Sequence, residues 1–333
     1  IDWKRAALTD LRWQDLAADE LELCPPLVVI GSDEMLAGQG LAQLIWLLNS
    51  GLPGKFLVLS DLGFGLGQSK SNDPRAGLGL LALAQRKAFV AQTSISDPAH
   101  LGESMLQALA SDGPALLQVY APSPSRHGFE SRQTLELAGL AVHSRTLPLF
   151  RYDPHVEGVF GSRIALSGNP APESLLVPGE EDGTPCTTAD WAFAQARFGN
   201  QFALLRADAP GPTPLYDWLQ LEDAPRKNKT PFIAVVEGDE EQRMAVDASL
   251  ANVAAGCVAN WQTLQDLAGV VTPVTARVEA DIRSEVAAEH QAELDAQKQA
   301  ADAEIKAIRE QTQAEIAAQI RSRLLALASQ KRS

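Results

Sequence analysis

Cysteine is scarce in this sequence. The three cysteines, at positions 24, 186 and 257, form no CxxC pair. Neither a disulfide framework nor a four-thiolate cluster can be built from this chain alone. Long apolar runs are missing as well. The longest, such as 27–30 and 44–48, fall far short of the ~20 residues a membrane helix needs, so no membrane span is expected. Positive charge is in deficit, with 28 Lys+Arg against 42 Asp+Glu and a formal charge of −14. Nucleic-acid binding generally relies on a basic face that displaces counterions, so no nucleic-acid partner is expected. The chain starts at Ile1 without a signal-like segment, which reads as a cytoplasmic protein cut from a longer one. Against these absences stands an apolar fraction of 45% in 333 residues, enough for a sizeable core. That length fits roughly two domains, or one domain with a long appendage.

The apolar residues fall into a rhythm. Residues 1–26 form an amphipathic lead-in closed by Pro25-Pro26. Short, nearly all-apolar runs at 27–30, 55–60, 88–92 and 115–120 alternate with helical patterns at 36–49, 77–85 and 98–110. Strands apolar at nearly every position are buried on both faces, and their alternation with helices predicts a doubly wound parallel α/β sheet over 27–175. Residues 176–273 predict an irregular acidic wrap (Glu180, Glu181, Asp182) that contains a hairpin over 232–246 and a helix over 248–267. The final stretch, 274–333, predicts a long helical arm. Between about 275 and 327 there is no Gly or Pro, and Ala-Glu-Leu/Ile recurs every 11 residues, at Leu294, Ile305 and Ile316. Eleven residues over three turns favours a nearly straight or slightly right-handed coil, about 80 Å long. Its narrow apolar stripe predicts a helical partner for 275–330.

In an open parallel sheet, ligands bind outside the carboxyl ends of the strands. Here those ends carry Gly31-Ser32-Asp33, Asp61 with the loop Gly63-Phe64-Gly65-Leu66-Gly67-Gln68, residues 93–97 and residues 121–128. Two aspartates at one end of neighbouring strands could hold a Mg²⁺ between two carboxylates and a phosphate. The glycine-rich loop could let backbone N–H groups approach a diphosphate. Turns and helix caps use the same residues. The loop also imitates a dinucleotide fingerprint, but that motif must open a helix, and 68–74 is polar and ends in proline.

Several stretches in order resemble the thiamine-diphosphate domain of the pyruvate:ferredoxin (2-oxoacid:acceptor) oxidoreductase family. LVVIGSDE at 27–34 is similar to a family strand followed by Gly-Asp-Gly, and GQSKSNDP at 67–74 to its Gly-Gln-Ser loop. SGLPGKFLVLSD at 50–61, FVAQTSI at 89–95, DGPALLQVYAP at 112–122 and LPLFRYDP at 147–154 continue the match. The resemblance implies a thiamine-diphosphate-binding fold in an enzyme that oxidatively decarboxylates 2-oxoacids, with electrons passing to ferredoxin or flavodoxin. The cofactor supplies the carbanion chemistry and the protein positions it. By residue match, Asp33, Asp61 and the backbone of Gly63 would hold Mg²⁺. Gly31, Ser32, Asp33, Gly63, Gly65, Gly67 and Gln68 would line the cofactor. The family's catalytic acid and substrate arginine lie in domains not matched here, so no catalytic residue is assigned and other domains or subunits are expected as partners.

The departures are specific. Glu34 replaces the second glycine of Gly-Asp-Gly and brings an anion toward a diphosphate. The family's Ser-Asn-Thr-Gly-Gly loop is shortened and has no Asn. Ser123 stands where the family carries a cluster-ligating cysteine, so no iron–sulfur cluster is expected from this chain alone. These changes motivate an alternative: a non-catalytic scaffold or docking domain that keeps the fold without cofactor or cluster. Elsewhere, Ser123, Ser125 and His127 read as ordinary loop residues, since no G-x-S-x-G elbow is present. His127 sits at a strand's carboxyl end and reads as a surface histidine rather than a ligand-facing one. Arg151 and Asp153 read as a structural ion pair rather than a domain contact, and Trp191, Trp218 and Trp261 as core or interface packing residues.

Overall fold

Four apolar runs become parallel neighbours in the computed structural model, which describes residues 15–17, 19–20, 23, 27–66, 77–179, 183–237 and 240–330. They are β1 (Leu27–Ser32), β2 (Gly54–Ser60), β3 (Phe89–Ser94) and β4 (Ala115–Tyr120). Two further strands, β5 (Phe150–Tyr152) and β6 (Ile164–Ala165), extend the sheet in the order β1-β2-β4-β3-β5-β6. Both added strands pair antiparallel, so the sheet is mixed rather than wholly parallel. Their runs are three and two residues long, too short for periodicity to reveal. The molecule is therefore α/β, with a mostly parallel six-stranded sheet followed by a helix-rich C-terminal part. The lead-in predicted over 1–26 falls almost entirely outside the described residues.

The central strands β3 and β4 are buried at every position, as their predominantly apolar runs predict, with the polar Gln92, Thr93, Ser94 and Gln118 buried among them. β1 is not: as an edge strand it leaves Leu27, Val28 and Ile30 largely exposed. The helix expected over 36–49 is two helices, α1 (Asp33–Ala37) and α2 (Leu41–Asn49). Gly38 and Gly40 separate them. A Cβ at Gly38 would lie 3.0 Å from the Glu34 carbonyl oxygen, so the break is written into the glycines. α3 (Leu78–Gln85) and α4 (Pro98–Ala110) flank the sheet. α4 starts where Asp97 accepts from the His100 N–H at 2.9 Å and proline fills the first turn.

After the short α5 (Pro124–His127) and α6 (Thr134–His143), the chain that was expected to be irregular contains more order than its prolines suggest. α7 (Thr188–Phe193) packs its Trp191 fully inside. β7 (Phe202–Leu204), β8 (Pro212–Pro214), β9 (Thr230–Glu237) and β10 (Glu240–Val246) form a second sheet in the order β7-β10-β9-β8. The expected hairpin is β9–β10, antiparallel in register Met244↔Ile233. Short turns α8 (Leu215–Trp218) and α9 (Asp223–Arg226) lie between, and α10 (Ala248–Ala268) follows.

Trp261 of α10 anchors this region. Its ring carries the Arg145 guanidinium at 4.1 Å, and its indole N–H donates to the Ser174 carbonyl at 2.9 Å. Arg145 is fully buried, adopts a left-handed backbone (φ 60°), and donates from Nη2 to the carbonyls of Pro170, Ala171 and Ser174. Burial lowers its pKa to about 10, so it stays charged at neutral pH. Arg145→Met removes charged hydrogen bonds and a cation–π contact, and a loss of about 3 kcal/mol is expected. Urea unfolding should show a lower midpoint at unchanged slope.

Contacts divide the chain into one unit that ends at Val271 and another that starts at Thr272. The second unit is dominated by one helix, α11 (Pro273–Gln330), of 58 residues. Among the described residues, no helix is long and apolar enough to cross a membrane.

Candidate functional site

Parallel pairing brings the carboxyl ends of three strands level: Ser32 opposes Leu59, and Ser60 opposes Tyr120. A cleft of about 450 Å³ opens at these ends, lined by Ser32, Asp33, Glu34, Ser60, Asp61 and Ser123, with Arg126 and His127 from α5. This is the carboxyl end of the parallel strands, outside which open sheets bind their ligands.

Asp33 is the first residue of α1 and only 8% exposed. Its Oδ2 accepts from the Ser60 hydroxyl and from the Asp61 N–H, both at 2.9 Å, and its Oδ1 accepts from the Glu34 N–H at 2.8 Å. Gln118 of β4 donates to the Ser60 hydroxyl at 3.0 Å, and its amide oxygen accepts from the Gly79 N–H at the start of α3. The carboxylate thus ties the ends of β1 and β2 together, and the tie extends through β4 to α3. Ser32 caps α1, its hydroxyl accepting from the Met35 N–H at 3.3 Å.

Asp61 follows β2 and is surrounded by two guanidinium groups and an imidazole. Its carboxylate meets Arg126 Nη2 at 2.9 Å, His127 Nε2 at 2.8 Å, and the Arg197 guanidinium in a short ion pair. Arg197 also donates from Nη2 to the Asp61 carbonyl at 3.0 Å. His127, followed by Arg197, holds the Asp61 carboxyl well below the usual carboxylate range, against the opposing effect of burial. Arg197 lies over the Phe198 ring at 4.5 Å and the Trp191 ring at 5.7 Å, and donates from Nε to Gln195. Burial pulls its pKa down more strongly than Asp61 pulls it up, yet a guanidinium starts high enough to remain charged.

The sites expected from the sequence are therefore distributed as follows. Ser32, Asp33 and Asp61 line one cleft, and Gly31 precedes Ser32 at the end of β1. Gly63 and Gly65 lie in the loop after Asp61, where Leu62, Phe64 and Gly65 all have left-handed φ. Gly67 and Gln68 lie outside the described residues. His127 is not a surface residue: it is 2% exposed and turned onto Asp61. Arg151 does not pair with Asp153; it meets Glu103 at 2.5 Å, while Asp153 accepts from the His155 N–H. The three tryptophans pack inside as expected. Arg126 and His127 sit at a strand exit that the sheet rule had marked. Arg197 comes from 136 residues beyond Asp61, and no spacing announces it.

Mg²⁺ demands near-octahedral oxygen ligands at about 2.0–2.1 Å. In this arrangement Asp33 already accepts three protein hydrogen bonds, and Asp61 is engaged by two guanidinium groups and an imidazole. A divalent ion between them would face two positive charges a few ångströms away, at about 4 kcal/mol per unit pair even with substantial screening. The residues as arranged do not fit the metal, since Arg126 and Arg197 both occupy the Asp61 carboxylate. Among the described residues, no other group of three or more His, Cys, Asp or Glu is placed to hold one.

No protein-family model matches the chain. Over 80 residues it is 31% identical to pyruvate synthase subunit PorB of Methanothermobacter thermautotrophicus, covering 24% of this chain and 28% of that protein. It is 30% identical over 80 residues to the PorB subunit of Methanosarcina barkeri, covering 24% of this chain and 27% of that protein. The chain thus spans just over a quarter of the length of the curated relatives it matches.

Proposed function

We propose that this chain is a component of a 2-oxoacid:acceptor oxidoreductase-type assembly, in which it keeps a thiamine-diphosphate-type α/β fold as a scaffold or docking subunit. The distant similarity to pyruvate synthase subunits and the ordered family stretches support the assembly. One observation carries the non-catalytic role: Arg197 takes up the Asp61 carboxylate that would otherwise face a metal. A cleft neutralised by its own side chains needs no diphosphate to satisfy them. The exposed apolar side chains of the edge strand β1, Leu27, Val28 and Ile30, support a partner surface there. Free thiols at Cys186 and Cys257 are in keeping with a cytoplasmic setting.

The competing reading is the catalytic one: a thiamine-diphosphate and Mg²⁺ site serving oxidative decarboxylation, with electrons leaving to ferredoxin or flavodoxin. Titration calorimetry of the full chain with thiamine diphosphate and Mg²⁺ separates the two. No saturable heat is expected at millimolar ligand. Mg²⁺-dependent binding of the diphosphate would overturn the scaffold reading and restore the catalytic one.

A further inference from the structure

Among the described side chains of α11, the large apolar residues are exposed. Val278, Ile282, Val286, Leu294, Ile305 and Ile316 are all between 41% and 59% exposed. Helical propensity alone stabilises such a segment little; most helices in proteins depend on a packed face. The apolar face here is defined by the 11-residue repeat at Leu294, Ile305 and Ile316, which keeps one side of a nearly straight helix. Ile308 and Ile320 lie three and four residues after two of these and widen the same side. A stripe this narrow suits one partner helix rather than the centre of a bundle.

Charge identifies the partner. Between residues 273 and 297 the sequence has six acids and two bases; between 298 and 333 it has seven bases and four acids. The arm is acidic in its first half and basic in its second. Two copies side by side and parallel would set acid against acid and base against base. Two copies antiparallel would set each acidic half against a basic one, and like-charge juxtaposition is what interfaces avoid. The apolar repeat is compatible with that direction. With Ile305 opposite its own copy at a two-fold axis, Leu294 faces Ile316 and Ile316 faces Leu294, so all three repeat residues oppose one another.

We infer that α11 pairs with the same helix of a second copy of this chain, antiparallel, about a two-fold axis near Ile305. This pairing does not depend on the oxidoreductase reading. Light scattering on the full chain should give a dimer at tens of micromolar, with a dissociation constant that rises severalfold on going from low to high salt. Direction is read by disulfide trapping in the full chain with Cys24, Cys186 and Cys257 changed to Ser. An oxidised mixture of the Leu294→Cys and Ile316→Cys chains should link to each other, and Ile305→Cys should link to itself. Neither Leu294→Cys nor Ile316→Cys alone should link, since disulfides need Cα atoms within about 7 Å. Circular dichroism checks that each variant keeps its helix. A monomeric full chain, a dimer that forms none of these links, or self-linking of Leu294→Cys would each overturn the pairing, the last in favour of a parallel one.

Discussion

Asp61→Ala should lower stability by about 3–5 kcal/mol, the cost of stranding buried charge when one partner of an ion pair is removed. Arg197 cannot turn to solvent easily: its side chain is 16% exposed and lies over the Phe198 ring. His127 is 3% exposed and loses the same partner. Urea unfolding measures the loss. Adding Arg197→Leu to Asp61→Ala should recover part of it, because a matched apolar replacement removes the stranded charge. A carboxylate kept open for a metal would behave differently: its removal in metal-free buffer would cost little stability, or even raise it by relieving repulsion from Asp33. An Asp61→Ala chain as stable as the parent would therefore sink the closed-cleft reading.

The same pair sets an acid limit. The folded-state pKa of Asp61 is depressed, by His127 first and Arg197 next, so its contribution is stabilising wherever the unfolded carboxyl is ionised. It is fully present above the unfolded value of about 3.9 and is lost as pH falls from there toward the lower folded value. The deficit of Asp61→Ala against the parent should accordingly hold above pH 5 and narrow as pH drops below about 4. A deficit that grows with acid would contradict the assignment.

How much of this could be read from the chain follows from the range of each interaction. α4 was legible to the residue, because Asp97, Pro98 and the apolar periodicity all act within one turn. β4 was legible because a strand buried on both faces is apolar at nearly every position. β1 carries the same kind of run and yet lies at an edge, since neighbours in the sheet are chosen by topology and not by composition. β5 and β6 are too short to show a period; β5 runs antiparallel to β3, and β6 is turned back on β5 by residues 153–163, which hold no sheet signal. At the site, Asp33 and Asp61 were found because strand exits are local features. What they do was not, because Asp33 is committed by backbone N–H groups and Asp61 by an arginine from a different part of the chain. His127 looked like a surface residue only because its partner is 66 residues away.

Trp191→Ala should show that the distant arginine is positioned by the core. The indole is fully buried, donates to the Tyr120 hydroxyl at 3.1 Å, and meets the rings of Phe64, Tyr120 and Phe198 at 6.0, 6.2 and 5.5 Å. Its deletion leaves a cavity and an unpaired buried hydroxyl, a loss of about 3–5 kcal/mol. Trp191→Phe keeps an aromatic ring and removes the donor, so a smaller loss of about 1–3 kcal/mol is expected. The Trp191 ring is also one wall beside Arg197, at 5.7 Å. If that wall holds the guanidinium against Asp61, the effects of Trp191→Phe and Asp61→Ala are not additive. Their double-mutant cycle should give a coupling of at least about 0.5 kcal/mol, the size found for residues that share a partner. Additivity would mean that Arg197 reaches Asp61 without help from the tryptophan, and that the backbone contact from its Nη2 to the Asp61 carbonyl is sufficient to hold it.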